Sequence, residues 1–248
     1  NSLTLRSNSI TGRPLDRAFM LFGEHARELI SPETALRMAR DLCGANEETR
    51  DLARKVLERT AVTMVPISNP KGRLSVEGGA FCQRVNENGV DLNRNWDAHW
   101  KEASESGGTD TNPGKAPFSE PETKTLKRLV DELRPDVFIT VHSGTLGMYM
   151  PYAYSRNLPD NDPTDLDRMT RILDALNPTY CRCPSGAAGK DVGYLCPGTC
   201  LDYAYEHHAA ISFAFPSTFV STACIIDAIC LGNSAFSRRR RWRLSCSK

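Results

Sequence analysis

Three side chains that could hold a metal ion follow two apolar stretches of the sequence. His25 and Glu28 come just after the run AFMLF (18–22), and His142 comes directly after DVFITV (136–141). If both runs are strands of a parallel arrangement, their ends meet at one edge of the sheet and bring the three donors together. Two imidazoles and one carboxylate bind zinc tetrahedrally and leave a fourth position free, as in catalytic zinc sites.

A histidine and a glutamate three residues apart are weak evidence on their own, because a two-residue match is frequent by chance. His142 could equally end a strand and make ordinary hydrogen bonds. Stronger evidence comes from VDLNRNW (90–96), where Asn93 and Arg94 set an amide beside a planar guanidinium. That pair can hold a carboxylate through two parallel hydrogen bonds.

With these segments in this order, the sequence resembles the zinc carboxypeptidases of the carboxypeptidase A type, over roughly residues 18–215. The hallmarks of that family are HxxE after a strand, an Asn-Arg pair in DxNRNW and a later histidine at a strand end. The resemblance implies one zinc ion held by His25, Glu28 and His142. It also implies hydrolysis of the C-terminal peptide bond of peptides or proteins, and it favours a secretory or extracellular location.

The resemblance assigns further residues to the substrate. Asn93 and Arg94 match the pair that holds the terminal carboxylate. Arg84 matches the arginine that stabilises the oxyanion, a role that suits a fixed cation beside developing charge. Arg27 matches a secondary substrate contact. For each of these charged residues the alternative is a structural ion pair.

Two more positions are assigned by counting from Asp202 in GTCLDYAY. Tyr194 falls where the family has a mobile tyrosine that closes over the substrate, just after the Gly- and Ala-rich run SGAAGKDVG (185–193). Leu201 falls at a position that often lines the pocket for the terminal side chain. Its apolar character favours neutral C-terminal residues over basic ones.

The family's general base is missing from this chain. In the family the strand ends in F-x-F-E, whereas this sequence reads ISFAFPSTF, with Pro216 in place of the glutamate. Proline has no carboxylate to accept a proton, and loss of a positioned base costs roughly 10²- to 10⁴-fold in rate. The nearest acid, Glu206, lies on the preceding predicted helix. Two functions therefore stay open: a zinc carboxypeptidase of doubtful activity, and an inactive pseudo-carboxypeptidase that binds zinc and peptide C-termini.

The elements that must position these residues alternate between strands and helices. Apolar, β-rich runs predict strands at 18–22, 61–67, 136–141 and 210–215. Helices are predicted from Ser31 and Pro32 to just before Gly44, over 119–133 and over 198–208. This alternation predicts an α/β fold with a mixed, mostly parallel sheet flanked by helices, and the resemblance makes it zinc carboxypeptidase-like.

Both ends of the chain depart from the family pattern. We expect residues 1–216 to form a truncated zinc carboxypeptidase-like catalytic domain and 217–248 to be a divergent, disordered basic tail. From Phe236 onward the sequence has six basic residues and no acid, which is more typical of a solvated end than of a nucleic-acid site, so no nucleic-acid partner is expected. Whether the ends reflect a fragment, a splice variant or a gene-model error stays open.

Composition sets the remaining limits. The chain has 248 residues, 40% hydrophobic and 25% charged, which is typical of one globular domain. Its longest apolar run, at 219–231, contains Asp227 and is too short to cross a bilayer. Nine cysteines leave at least one unpaired. Cys181 and Cys183 are expected to be too close to pair readily, and Cys196 and Cys200 to be better candidates for bridges. The sequence does not determine the oligomeric state.

Overall fold

The computed structural model describes residues 2–6, 16–103, 109–157, 165–216 and 222–232. A single sheet of seven strands runs through this part of the chain, in the order β1-β3-β2-β4-β7-β5-β6. The strands are β1 (Leu3–Leu5), β2 (Asp16–Phe22), β3 (Thr60–Val65), β4 (Val137–His142), β5 (Met148–Met150), β6 (Ser185–Ala187) and β7 (Ile211–Pro216).

The sheet is mixed and mostly parallel, as the alternating pattern predicted. The central strands β3, β2, β4 and β7 are parallel neighbours, and β6 is parallel to β5. The strands β1 and β5 pair antiparallel, with β3 and β7 respectively. A parallel sheet covered on both faces needs apolar side chains on both, which is why its strands read as continuous apolar runs.

Helices cover both faces of this sheet. They are α1 (Ile30–Leu42), α2 (Glu47–Leu57), α3 (Pro70–Glu77), α4 (Pro121–Leu133), α5 (Asp165–Tyr180), α6 (Ala188–Asp191), α7 (Cys200–His207) and α8 (Thr222–Gly232). On one face, α1, α2, α5 and α8 pack on alternate residues of the strands, such as Met20 and Ile139. On the other, α4 and α7 pack on the intervening ones, such as Phe19 and Phe138. The predicted helices and strands are present, with ends that differ by a few residues.

The helix α8 corrects the prediction of a disordered tail from residue 217. Its side chains Cys224, Ile225, Ile226 and Ile229 are fully buried against the sheet and the neighbouring helices. The stretch has no polar face because it is buried nearly all round, and a run with this pattern is hard to assign from sequence. Beyond residue 232 the tail lies outside the described residues, so its disorder stays a prediction.

We expect Ile226→Ala to destabilise the protein by about 2–5 kcal/mol, because it empties a fully buried site in the core. Leu231→Ala, on the same helix, is the control, since Leu231 is 39% exposed and surface changes usually stay within about 0.5 kcal/mol. Urea unfolding of both variants measures the difference. Equal free energies of unfolding would show that α8 is not part of the core.

The cysteine pairing also differs from the expectation. Cys181 and Cys183 form a disulfide, with their Cα atoms 5.1 Å apart. Arg182 between them has a positive φ of 53°, and this reversal brings the two Cα atoms within bonding range. Cys196 and Cys200 are both free thiols. Within the described ranges, no helix is long and apolar enough to cross a membrane.

Candidate metal centre and substrate cavity

The ends of β2 and β4 bring the three predicted ligands together. These strands are parallel neighbours, with Phe22 in register with Val141, so His25 follows one end and His142 occupies the other. The Ser31 hydroxyl joins the two ends, since it donates to the Val141 carbonyl at 2.6 Å and accepts from the Gly23 N–H at 3.0 Å. Ser31 was predicted to begin α1, but the helix begins at Ile30, and Ser31 serves as this link instead.

The donor atoms of the three side chains converge on one point. The Nδ1 atoms of His25 and His142 are 3.2 Å apart. Glu28 lies 2.7 Å from His25 Nδ1 through Oε1 and 3.2 Å from His142 Nδ1 through Oε2. In the described part of the chain, these are the side chains of the one group found that could hold a metal ion.

These distances fit a zinc ion. Tetrahedral zinc with bonds of about 2.0–2.1 Å keeps its donor atoms roughly 3.3 Å apart, close to the 3.2 Å between the two imidazoles. Both imidazoles present Nδ1, and the carboxylate completes a set of two nitrogens and one oxygen. This is the composition of a catalytic site with an open fourth position.

Second partners hold two of the donors in place. His25 Nε2 lies 3.2 Å from Oδ1 of Asp91, a fully buried carboxylate in the VDLNRNW segment. The backbone N–H of Ser143 donates to Glu28 Oε2 at 2.9 Å. A carboxylate behind a ligating histidine fixes the tautomer that leaves the other nitrogen free for metal. No role was predicted for Asp91 from the sequence, although it lies two residues before Asn93.

The electrostatics of the centre favour a positive charge. Burial opposes protonation of His25, but the carboxylates of Glu28 and Asp91 outweigh it and raise the pKa of His25 to about 9. Burial likewise opposes ionisation of Glu28, yet His25 and His142 hold its pKa well below the usual range. Buried carboxylates that draw a proton onto an imidazole in this way are well placed to compensate a bound cation.

Arg84 lies beside the metal centre, next to the carboxylates of Asp91 and Glu28. Its Nε donates to Asp91 Oδ2 at 2.9 Å, and its Nη1 is 3.8 Å from Glu28 Oε1. The guanidinium is therefore held by two carboxylates and lines the same cavity as the three donors. This position is compatible with the predicted role of Arg84 at an oxyanion.

Asn93 and Arg94 line the cavity from a 3₁₀ turn, Leu92–Arg94. The guanidinium donates through Nη1 to the Asn93 carbonyl at 2.6 Å and through Nη2 to Cys196 Sγ at 3.3 Å. The backbone of Arg94 packs closely against Gly198. Only glycine fits there, because a Cβ would lie 2.3 Å from the Arg94 carbonyl oxygen and the φ of Gly198 is +75°. Both Asn93 and Arg94 are buried and line the cavity, away from bulk solvent.

The other predicted substrate residues line this cavity of about 310 Å³. Tyr194 is 53% exposed at its rim, free of the core. Arg27 is also at the rim and pairs with Asp110 at 3.0 Å. Leu201 is buried, in a cluster of largely apolar side chains with Tyr149, Ala153, Ala188 and Cys196.

The position at which the sequence pattern predicts a missing general base lies next to the centre. Pro216 is the last residue of β7 and the register partner of His142 on β4. Ala214, two residues earlier, lines the cavity. Among the lining residues that the structure describes, Glu28 is the one acid. Glu206 instead pairs with His99 at 2.9 Å and is not among the lining residues.

Asp202, the residue after Leu201, is a buried carboxyl. It accepts hydrogen bonds from the N–H groups of Ala153 and Tyr154, at 2.9 to 3.1 Å. Burial raises its pKa to about 7, even though these two bonds favour the ionised form. Asp202 therefore changes charge near neutral pH.

We expect Asp202→Asn to remove a pH-dependent loss of stability. Because the pKa is raised on folding, the folded state binds more protons than the unfolded state between about pH 4 and pH 7, and wild-type stability falls as pH rises through that window. Relative to the variant, wild type should lose at most about 1.4 kcal/mol per pH unit. Denaturant unfolding of both proteins, made metal-free with a chelator, measures this difference at several pH values. If the stability of wild type rises relative to that of the variant as the pH increases, the prediction is wrong.

Comparisons with known proteins agree with the geometry. The family model described as zinc carboxypeptidase matches residues 3–221. Zinc carboxypeptidase A 1 of Drosophila melanogaster is 28% identical over 214 residues, which cover 82% of this chain and 49% of that protein. Mast cell carboxypeptidase A of Rattus norvegicus is 32% identical over 218 residues, covering 79% of this chain and 50% of that protein. The chain thus spans about half the length of these relatives.

The fold has close counterparts among solved structures. The crystal structure of thrombin activatable fibrinolysis inhibitor matches with a TM-score of 0.80 at 21% sequence identity, and the match covers 96% of this chain and 66% of that one. This confirms the predicted fold class.

Proposed function

This chain belongs to the zinc carboxypeptidase family, and we propose that its centre binds one zinc ion and acts on the C-terminal peptide bond of peptides or proteins. The observation that carries the proposal is the convergence of His25, Glu28 and His142 at one point beside the buried Arg94. A metal that polarises a carbonyl and a cation that receives a carboxylate are what selection of the last peptide bond needs.

Each of the predicted substrate residues has a task in this proposal. Asn93 and Arg94 hold the terminal carboxylate, and Arg84 stabilises negative charge that develops on the carbonyl oxygen. Zinc, when bound, supplies Lewis-acid polarisation of that carbonyl. Arg27 makes a secondary contact at the rim, and Tyr194 closes over the bound substrate, which its exposure allows.

The terminal side chain would enter the apolar part of the cavity around Leu201. Its neighbours there are also uncharged, with Tyr149, Ala188 and Cys196 in one cluster. A charged side chain would lose its hydration among these uncharged side chains. We therefore expect neutral C-terminal residues to be preferred over basic ones.

One observation favours a second candidate function, the inactive binding protein. Proline at position 216 supplies no group that could take a proton from the attacking water, and the described residues of the cavity lining include no acid besides the proposed ligand Glu28. Zinc and the carboxylate-binding pair would then serve recognition of peptide C-termini, with little or no turnover. General-base loss predicts turnover lower by roughly 10²- to 10⁴-fold in either case.

Binding and turnover of matched peptides test the proposal. A peptide ending in leucine should bind to the zinc-loaded protein, and its C-terminal amide, which lacks the carboxylate charge, should bind much more weakly. Slow release of free leucine that stops on chelation would identify the enzyme, and binding without release would identify the pseudo-carboxypeptidase. Equal binding of the acid and the amide would exclude both.

The family also leads us to propose a secretory or extracellular location for the whole protein. Immunoblots of medium and lysate from cells that express the full-length gene test this. Retention of all the protein in the lysate would contradict it.

A further inference from the structure

A buried carboxylate lies behind the proposed ligand His142. Glu24, directly before His25, is 1% exposed. Its Oε2 accepts hydrogen bonds from Thr140 Oγ1 at 3.1 Å and from Cys200 Sγ at 3.2 Å, and it lies 3.5 Å from His142 Nε2. Its Oε1 has no hydrogen-bond partner among the described residues. A buried, partly unsatisfied carboxylate costs stability, so packing alone does not account for it.

The two nitrogens of His142 face opposite environments. Nδ1 faces the proposed metal position, beside His25 and Glu28. Nε2 faces Thr140 Oγ1 at 2.9 Å and Asn93 Nδ2 at 3.3 Å, with Glu24 just beyond. A neutral imidazole that binds metal through Nδ1 carries its proton on Nε2, so it needs an acceptor there.

Thr140 and Glu24 supply that acceptor. The Asn93 amide nitrogen can only donate, because its Oδ1 is the amide's acceptor and is used by the Cys200 N–H at 3.0 Å. The Thr140 hydroxyl can accept from Nε2–H while it donates its own proton to Glu24 Oε2. The carboxylate thus acts on His142 through one hydroxyl, as Asp91 acts directly on His25.

We propose that Glu24, acting through Thr140, is a positioning residue that holds His142 with Nδ1 toward the metal and raises the affinity of the centre for zinc. This inference rests on the proposed zinc site. With Glu24, both ligating imidazoles have a carboxylate behind them, and removing such a partner typically lowers metal affinity 10- to 100-fold.

Zinc affinity, measured by competition with a fluorescent chelator, tests the proposal and does not depend on catalytic activity. Glu24→Gln keeps the shape and removes the charge, and Glu24→Leu also removes the acceptor. We expect both to bind zinc roughly 10- to 100-fold more weakly than wild type, and Thr140→Val to show a loss in the same direction. The matched control is Thr63→Val, another buried strand threonine, whose hydroxyl bonds Thr4 away from the centre. It should bind zinc as wild type does.

The stability of the metal-free variants separates positioning from a structural role. Replacing a buried charge by an apolar side chain of similar volume is often neutral or stabilising. Metal-free Glu24→Leu should therefore melt at the same temperature as metal-free wild type or higher, while its zinc affinity falls. A Glu24→Gln variant that folds and binds zinc within twofold of wild type overturns the proposal, even if Glu24→Leu fails to fold. Wild type that binds no zinc overturns the proposed function as well.

Discussion

Pro216→Glu should raise the turnover of a C-terminal peptide substrate by roughly 10²- to 10⁴-fold, the contribution of a positioned general base. Position 216 is the register partner of His142 at the end of β7, and strand alternation puts a glutamate there on the face of Ala214, which lines the cavity. The new carboxylate would stand beside the proposed zinc site. Initial rates on a blocked dipeptide, at equal zinc loading, measure the gain.

Pro216→Gln is the control for this gain. It makes the same change in backbone and shape and also restores the N–H, but an amide cannot take a proton at neutral pH. If the glutamine variant gains as much as the glutamate variant, the effect comes from the backbone and the missing base is not the limitation. If neither variant turns over while both bind zinc, another part of the catalytic set is defective.

Arg94→Met should weaken binding of a peptide with a free C-terminus by about 2–5 kcal/mol, because it leaves a carboxylate without its buried partner. In affinity this is roughly a 30- to 4,000-fold loss. Arg94 is 6% exposed, so water cannot replace its guanidinium readily. Calorimetric titration of the zinc-loaded protein measures the loss, and the C-terminal amide of the same peptide should bind equally weakly to both proteins.

Arg27→Met provides the comparison for Arg94. Its guanidinium is at the rim, paired with the exposed Asp110, and exposed pairs contribute about 0–1 kcal/mol. A loss for Arg27→Met as large as for Arg94→Met would mean that the carboxylate is held at the rim. If Arg94→Met weakens binding of the free-acid peptide and of its C-terminal amide equally, Arg94 does not recognise the terminal carboxylate.

The order of three short motifs, together with the family resemblance that they carry, predicted that the candidate ligands would meet. His25 and His142 each follow an apolar run, and the parallel pairing of those runs as β2 and β4 brings the imidazoles together. The predicted substrate residues Arg94 and Leu201 also line one cavity. Their functional roles stay predictions.

What the sequence did not predict depends on contacts between distant residues. Glu24 reads as one more acid near a strand end, and only the fold brings it to Cys200 and Thr140. The turn at Arg182 that joins two cysteines depends on one unusual φ angle. The helix α8 has no polar face, because its surroundings are apolar nearly all round. Its sequence therefore lacks the alternation of polar and apolar residues that would predict a helix.

Bound-metal stoichiometry in the purified protein is the most direct test of the whole account, with His142→Ala as its partner. Elemental analysis should find close to one zinc ion per chain in wild type and almost none in the variant, since two remaining donors seldom hold zinc against a chelator. Wild type without zinc, or a variant that keeps its zinc, would contradict the proposed centre at the ends of β2 and β4.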